Sequence, residues 1–136
     1  MAPRFAVRRL ADVPRVATES GDPDWYPLQH YFGLTAFGTN VYVAHAAGGD
    51  LLGDHDEAGS NQEELYLVTS GEASFVIDGK RFDAPAVSVV AVPEPSVRRV
   101  ATANVPGTTI VAIGGERQPE FRTSWQRRHF ESVPKL

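Results

Sequence analysis

The middle of the chain consists of short β-rich runs separated by turn residues, and this pattern limits the possible folds more than any other feature. Two of the runs flank Asp78-Gly79, a dipeptide that tolerates the positive φ angles of a type I′ turn and so predicts a β-hairpin. Turn signals recur at intervals of about ten residues, which is typical of an antiparallel sandwich or barrel. The predicted strands are residues 40–45, 74–77, 80–82, 87–92, 97–105 and 108–113.

The two ends of the chain carry different patterns. Residues 5–10 predict one further strand, before a proline-interrupted stretch. Near the C-terminus four residues fall at helical intervals, with Thr123 or Ser124 available as a cap, so we predict a short C-terminal helix. The four residues are Phe121, Trp125, Arg128 and Glu131. A chain of 136 residues suits one core, and we expect a single domain over residues 1–136.

Composition excludes several classes of site and partner. The chain has no cysteine, which excludes disulfides, thiolate nucleophiles and cysteine-based zinc sites. The formal net charge is -4 and the arginines are scattered, so no nucleic-acid partner is expected. Arg122, Arg127 and Arg128 are most simply a solvated helix face. No apolar run is long enough to span a bilayer and no secretory h-region follows Met1, so we expect no membrane partner and a cytoplasmic location.

Residues 49–71 contain the strongest candidates for chemistry. His55 and Glu57 are two residues apart, so on an extended strand their side chains project from the same face. Glu64 begins the next β-rich run, which ends at the turn signal of residues 69–71. If the two strands pair as a hairpin, the three side chains converge and can serve as metal ligands or as proton carriers. The simpler alternative is a polar strand end, with Glu57 in solvent.

The same stretch resembles the first motif of the cupin superfamily, which has a Gly, a His-x-His pair, a Glu and a final Gly. Five residues separate the first Gly from the His here, and six separate the last Glu from the final Gly. Glu57 stands in place of the second His, after which the gap is longer than usual. The matching residues are Gly49, His55, Glu57, Glu64 and Gly71, whereas an ungapped alignment puts Ala58 and Ser60 at the two His positions.

The second cupin motif is matched less fully. Val87, Pro93, Pro95, Arg98 and Thr102 occupy its positions, so a proline is kept while Arg98 replaces the usual His. The resemblance covers residues 49–104. It implies an all-β fold, the cupin-type double-stranded β-helix or jelly-roll barrel, with a small-molecule ligand in the barrel interior. Small cupins commonly pair through their sheets, so the resemblance also implies a homodimer.

Two kinds of chemistry are open at this site. In cupins the metal is typically held by three His and one Glu, and the ligands corresponding to these here are His55, Glu57 and Glu64. This oxygen-rich set could hold manganese or iron, or less typically zinc. Arg98 stays protonated and cannot be a ligand. Without a metal, Arg98 could neutralise one carboxylate, and the other could then act as a general acid or base with His55. Arg98 could equally bind the carboxylate of a ligand, and whether Arg98 or Arg99 faces inward depends on the strand register.

Three further residues are candidates for ligand binding. Tyr66 shares a strand face with Glu64 and could orient a ligand through its hydroxyl. Gln62 stands where many small cupins have a His. His45 lies on a face with Val41 and Val43, where a structural role is the more common one.

The sequence therefore predicts a small-molecule-binding protein with two alternatives for its activity. One is an enzyme of isomerase, lyase, cyclase or dioxygenase type that acts on a small organic acid, sugar or secondary-metabolite intermediate. Its catalytic residues would be Glu64, His55 and Glu57. The other is a non-catalytic binding or sensing module with a degenerate metal site.

Overall fold

The computed structural model describes residues 3–136, and these form two antiparallel β-sheets facing each other. The first sheet has the order β1 (Asp24–Tyr26), β2 (Gly38–Val43), β9 (Thr109–Glu116), β4 (Gln62–Ser70) and β7 (Val89–Val92). The second has the order β3 (Asp50–His55), β8 (Arg99–Ala103), β5 (Glu72–Ile77) and β6 (Lys80–Pro85). The antiparallel barrel predicted from the turn spacing is confirmed.

The core lies between the sheets and follows the two-residue period of the strands. Tyr66 and Val68 of β4 are fully buried, as are Phe75 of β5 and Ile110 of β9. The rings of Tyr66 and Phe75 lie 5.8 Å apart between their centroids, across the two sheets. Burying a large apolar side chain stabilises a fold by about 1.5–3 kcal/mol, so this alternation fixes which face of each strand looks inward.

Two glycines have a conformational role that other residues would fill poorly. Asp78 and Gly79 both have positive φ, 51° and 76°, and join β5 to β6 as the predicted two-residue hairpin. Gly71 has φ 72°, and a Cβ there would lie 2.4 Å from the Thr108 hydroxyl oxygen. The turn between β4 and β5 therefore requires glycine for both its dihedral angles and its space.

The N-terminal part differs from the prediction. Residues 5–10 are not a strand, and only a three-residue 3-10 turn, Leu10–Asp12, forms there. The prediction was wrong because the edge of the first sheet is taken by β1, which also bridges Val16. A short helix that the sequence analysis did not predict, α1 (Leu28–Phe32), packs against β2.

The predicted C-terminal helix is reduced to a four-residue 3-10 turn, Arg127–Phe130. The Thr123 hydroxyl accepts a hydrogen bond from the Trp125 amide at 3.1 Å, so the expected cap forms without the helix behind it. Residues 117–136 are exposed, and a helical pattern that buries no face is marginal in water. Within residues 3–136, no helix is long and apolar enough to cross a membrane.

Candidate functional site

The His55 imidazole, at the end of β3, has one nitrogen fixed by the backbone. Its Nδ1 lies 2.6 Å from the Gly53 carbonyl oxygen. A carbonyl only accepts, so Nδ1 carries the hydrogen. This leaves Nε2 as the nitrogen that faces the interior of the site.

Two carboxylates meet that nitrogen. Nε2 of His55 lies 3.4 Å from Oε1 of Glu57 and 3.9 Å from Oε2 of Glu64. One ligand atom from each of the three residues lies within 4.8 Å of the other two. All three side chains are partly buried, with Glu64 the least exposed at 13 %. We call these three residues the His-Glu-Glu cluster.

The cluster forms by a different route from the predicted hairpin. β3 belongs to the second sheet and pairs with β8, whereas β4 belongs to the first and pairs with β7 and β9. Glu57 lies in the loop after β3, where its amide donates to the Pro95 carbonyl at 2.8 Å. Its Oε2 accepts a hydrogen bond from the Ser60 hydroxyl at 2.5 Å. The hairpin was wrong, and the three side chains converge because the two sheets face each other.

Glu64 is held by a buried guanidinium and a buried phenol. Its Oε2 accepts hydrogen bonds from the Tyr66 hydroxyl and, at 3.3 Å, from Nη2 of Arg99. Arg99 is 0 % exposed and also donates to the Pro95 and Val97 carbonyls, at 3.4 and 2.6 Å. The Arg99 charge thus compensates the carboxylate that would otherwise be costly to bury.

Arg99 takes the position that the sequence analysis gave first to Arg98. The Arg98 side chain is 59 % exposed and binds Asp54 and Asp56 at 3.2 and 3.6 Å. The prediction that Arg98 enters the interior, either to neutralise a carboxylate or to bind a ligand, is wrong. The reason is register: Arg99 is the residue opposite His55 on β3 and Ile77 on β5, so its neighbour points outward.

The Tyr66 hydroxyl contacts the cluster through its hydrogen bond to Glu64. Burial raises the pKa of its hydroxyl, and the hydrogen bond to Glu64 raises it further. The phenol therefore stays protonated and donates to Glu64. Because Tyr66 is fully buried, its hydroxyl positions the Glu64 carboxylate. From the sequence, this hydroxyl was predicted to orient a ligand.

Gln62 and His45, the other two predicted ligand-binding residues, lie in different places. Gln62 is partly buried two residues before Glu64, and its amide oxygen would lie 3.3 Å from a Cβ placed on Gly114. Such a Cβ would also come within 3.0 Å of Glu64 Cγ, so the glycine leaves room for both side chains. His45 is exposed and pairs with Asp24 at 2.9 Å, which matches the structural role described above.

Two aromatic residues near the cluster, Tyr42 and Trp25, were not predicted as site residues from the sequence. Tyr42 pairs with Ile110 across β2 and β9, and this register puts its side chain on the interior face. Burial raises the pKa of Tyr42, and the negative charges of Glu64 and Glu57 raise it further. Trp25 lies beside it on β1, with ring centroids 6.1 Å apart. The available signal was the alternation of side chains along the strand predicted for residues 40–45. Without the strand pairing, this alternation does not show which face of the strand points into the barrel.

The cluster also suits a divalent cation. It offers one imidazole nitrogen and two carboxylate oxygens, a set that manganese and iron accept readily and zinc less typically. The hydrogen bond from Nδ1 to a backbone carbonyl is the support that metal-binding histidines usually have. With three protein ligands, such an ion would keep open positions for a substrate.

Comparison with known proteins gives structural matches and no sequence matches. No family model matches the chain, and no curated protein is similar to it in sequence. A cupin-superfamily sugar phosphate isomerase from Silicibacter pomeroyi is 18 % identical, with a TM-score of 0.66 over 84 % of this chain and 77 % of that one. KdgF from a Halomonas species is 11 % identical, with a TM-score of 0.64 over 85 % of this chain and 96 % of that one.

A third neighbour was solved with a small molecule. It is the Streptomyces protein PAC13 with uridine, 12 % identical, with a TM-score of 0.59 over 82 % of each chain. At these identities the likeness shows the fold. The cupin double-stranded β-helix predicted from the two motifs is confirmed as the fold of this chain.

Proposed function

We propose that this chain, which has the cupin fold, binds a small organic molecule in its barrel and transfers a proton on it through the His-Glu-Glu cluster. The reaction class that suits this arrangement is an isomerisation or an elimination. One observation carries the proposal: His55 Nε2 faces Glu57 at 3.4 Å and Glu64 at 3.9 Å, while Nδ1–H is held by the Gly53 carbonyl.

The position of Nε2 sets what the cluster can do. With its hydrogen on Nδ1, the imidazole presents Nε2 to the two carboxylates, and Nε2 is the ring nitrogen that can accept a proton from a substrate or bind a metal ion. Glu57, whose Oε1 lies 3.4 Å from Nε2, is close enough to pair with the imidazole when Nε2 takes a proton.

Glu64 has a separate role in this mechanism. Arg99 and Tyr66 both donate to it, so its negative charge is stabilised in place. A fixed carboxylate beside this imidazole suits proton transfer on a substrate. In an isomerisation, Nε2 of His55 would take the proton of a substrate C–H bond, the electron pair of that bond would form a double bond to the next atom, and the proton would return to the far end of the displaced double bond. In an elimination, that electron pair would form a double bond and expel the leaving group, which would receive the proton from Nε2.

The structural neighbours support a small-molecule function. One is named a sugar phosphate isomerase and another was solved with uridine. Both names concern small molecules, which agrees with a small-molecule ligand for this chain. For this chain, the alternative to an enzyme remains a non-catalytic binding or sensing module.

Solvent exchange would distinguish an enzyme from a binder. A panel of sugars, small organic acids and nucleosides is incubated with the protein in D₂O, and deuterium entering a substrate carbon is detected by NMR. An enzyme should show exchange that E64Q abolishes, while a binder should show only weaker affinity in E64Q. Glu63→Gln is the matched control, because Glu63 lies on the same strand, is about half exposed and pairs with Arg117 instead of the cluster. Equal exchange in E64Q and the parent protein would contradict the proposal.

A metal-dependent form of this activity is the second candidate, favoured by the closeness of the three ligand atoms. His55, Glu57 and Glu64 would hold the ion, which would supply Lewis-acid polarisation of a substrate oxygen. Elemental analysis of protein purified without chelator tests it. About one equivalent of manganese, iron or zinc that is lost in H55A would support this form.

An apolar patch on the outer face of the first sheet supports the predicted homodimer. Leu65, Val89 and Ile113 are all exposed there, and Leu65 lies between Ala91 and Ile113 on the two neighbouring strands. Burying such a patch against a second copy would remove it from water. Sedimentation should give a dimer for the parent protein and a monomer for Leu65→Glu; a monomeric parent protein would contradict the homodimer.

A further inference from the structure

A cavity of about 450 Å³ lies beside the His-Glu-Glu cluster. Trp25 and Tyr42 form one wall, and Leu51 and Gly53 of β3 form another. Residues 17–19 and 22–23 line it from the N-terminal side. The Gly53 carbonyl is also the group that holds His55. The cavity and the cluster therefore meet at Gly53, and a ligand that fills the cavity would come close to His55.

The aromatic wall is fixed in orientation. Trp25 and Tyr42 are cross-strand partners, and their rings are tilted by 38° with centroids 6.1 Å apart. The indole N–H of Trp25 donates to Asn40 Oδ1 at 2.7 Å, which holds the plane of the indole ring. The held indole face of Trp25, with the Tyr42 ring beside it at an angle, provides an apolar wall against which a ring compound can stack.

All the charged side chains that line the cavity are negative. Its lining includes three carboxylates, Glu19, Asp22 and Asp50. Among the lining residues, all of which lie in the described part of the chain, there is no Lys, Arg or His. Arg15 and His45, which line neighbouring pockets, both bind Asp24, at 2.7 and 2.9 Å.

The adjoining His-Glu-Glu cluster does not change the sign of this net charge. It adds Glu57 and Glu64, giving five carboxylates against the Arg99 guanidinium and the His55 imidazole. A divalent cation on the cluster would still leave the combined site negative. Partly enclosed sites lined by one sign of charge concentrate ligands of the opposite sign and repel those of the same sign.

We propose that this site takes an uncharged or cationic ring compound stacked on Trp25 and Tyr42, and that it rejects phosphorylated and carboxylated molecules. The inference rests on the proposed function, because it names the ligand class of the same site. Of the organic acids, sugars and metabolite intermediates considered above, it selects those without an acidic group. It also separates this chain from the neighbour named for a sugar phosphate.

Fluorescence quenching tests the charge at the aromatic wall without knowledge of the substrate. The chain has two tryptophans, so Trp125→Phe leaves Trp25 as the only indole emitter. Quenching by iodide and by caesium is compared at low ionic strength, each normalised to N-acetyltryptophanamide. Iodide should quench about fivefold less effectively than caesium. The double change E19Q/D50N should remove most of this difference, while the control D78N, in the β5–β6 turn, should leave it unchanged.

Matched ligand pairs test the selectivity itself. Uridine against uridine 5′-monophosphate, and glucose against glucose 6-phosphate, are titrated while the Trp25 emission is followed. The unphosphorylated member should bind more tightly in any pair that binds. A phosphorylated probe that binds as tightly as its parent would overturn the inference, as would iodide quenching that equals caesium quenching when no probe binds. Neither measurement needs turnover, so an E64Q result against the proposed function would leave this test valid.

Discussion

Replacing Arg99 by Met tests the charge balance inside the barrel. Met fills similar space but carries no charge, so Glu64 would keep its partly buried carboxylate without the guanidinium that compensates it. Removing one partner of a buried ion pair costs about 3–5 kcal/mol. The Pro95 and Val97 carbonyls would also lose a donor. Because Glu64 remains 13 % exposed and keeps the Tyr66 hydrogen bond, we expect the lower part of that range, about 3 kcal/mol.

Urea unfolding of three variants measures this effect. R99M should lose about 3 kcal/mol of unfolding free energy at pH 7, while R98M should lose about 0–1 kcal/mol because its ion pairs are exposed. R99M/E64Q should recover a large part of the loss, since it removes the uncompensated charge. An R99M protein as stable as R98M at pH 7 would refute the account of Arg99, as would an R99M/E64Q protein that recovers none of the loss.

Two further predictions concern Tyr66 and the turn at Gly71. Because the pKa of Tyr66 is raised in the folded state, its protonated hydroxyl contributes fully to stability below the unfolded-state pKa of 10.0, and this contribution is lost as pH rises above that value. In urea unfolding at alkaline pH, Y66F should therefore lose stability less steeply with pH than the parent protein. An equally steep loss in both proteins would contradict this. Gly71→Ala should cost about 2–4 kcal/mol from backbone strain and the contact with Thr108. Gly79→Ala, which has a similar φ but open space, should cost less, and equal losses in thermal unfolding would contradict the steric argument.

The β pattern of the sequence was sufficient for the fold where strands pair locally. The hairpin around Asp78-Gly79 formed as predicted, because its turn chemistry and its alternation agree. Residues 5–10 have a similar local pattern and formed no strand, because they pair with neither sheet; the segment that bridges to the outer side of β1 is at Val16. The C-terminal helix failed for a related reason: its pattern has no surface against which to pack.

The sequence predicted which three residues form the cluster, but not the strand pairing that brings them together. His55, Glu57 and Glu64 come together as expected, but from opposite sheets. Arg98 and Arg99 are adjacent, and β3 has two register irregularities against β8, so the inward residue depends on pairing that local sequence does not specify.

Nitrogen-15 NMR of the His55 imidazole tests the central claim most directly. Four histidines are present, and the His55 signals are identified by their loss in H55Q. The account predicts that the neutral imidazole carries its hydrogen on Nδ1 and leaves Nε2 free to face the two carboxylates. A neutral imidazole with its hydrogen on Nε2 and a free Nδ1 would contradict the arrangement on which the proposed chemistry depends.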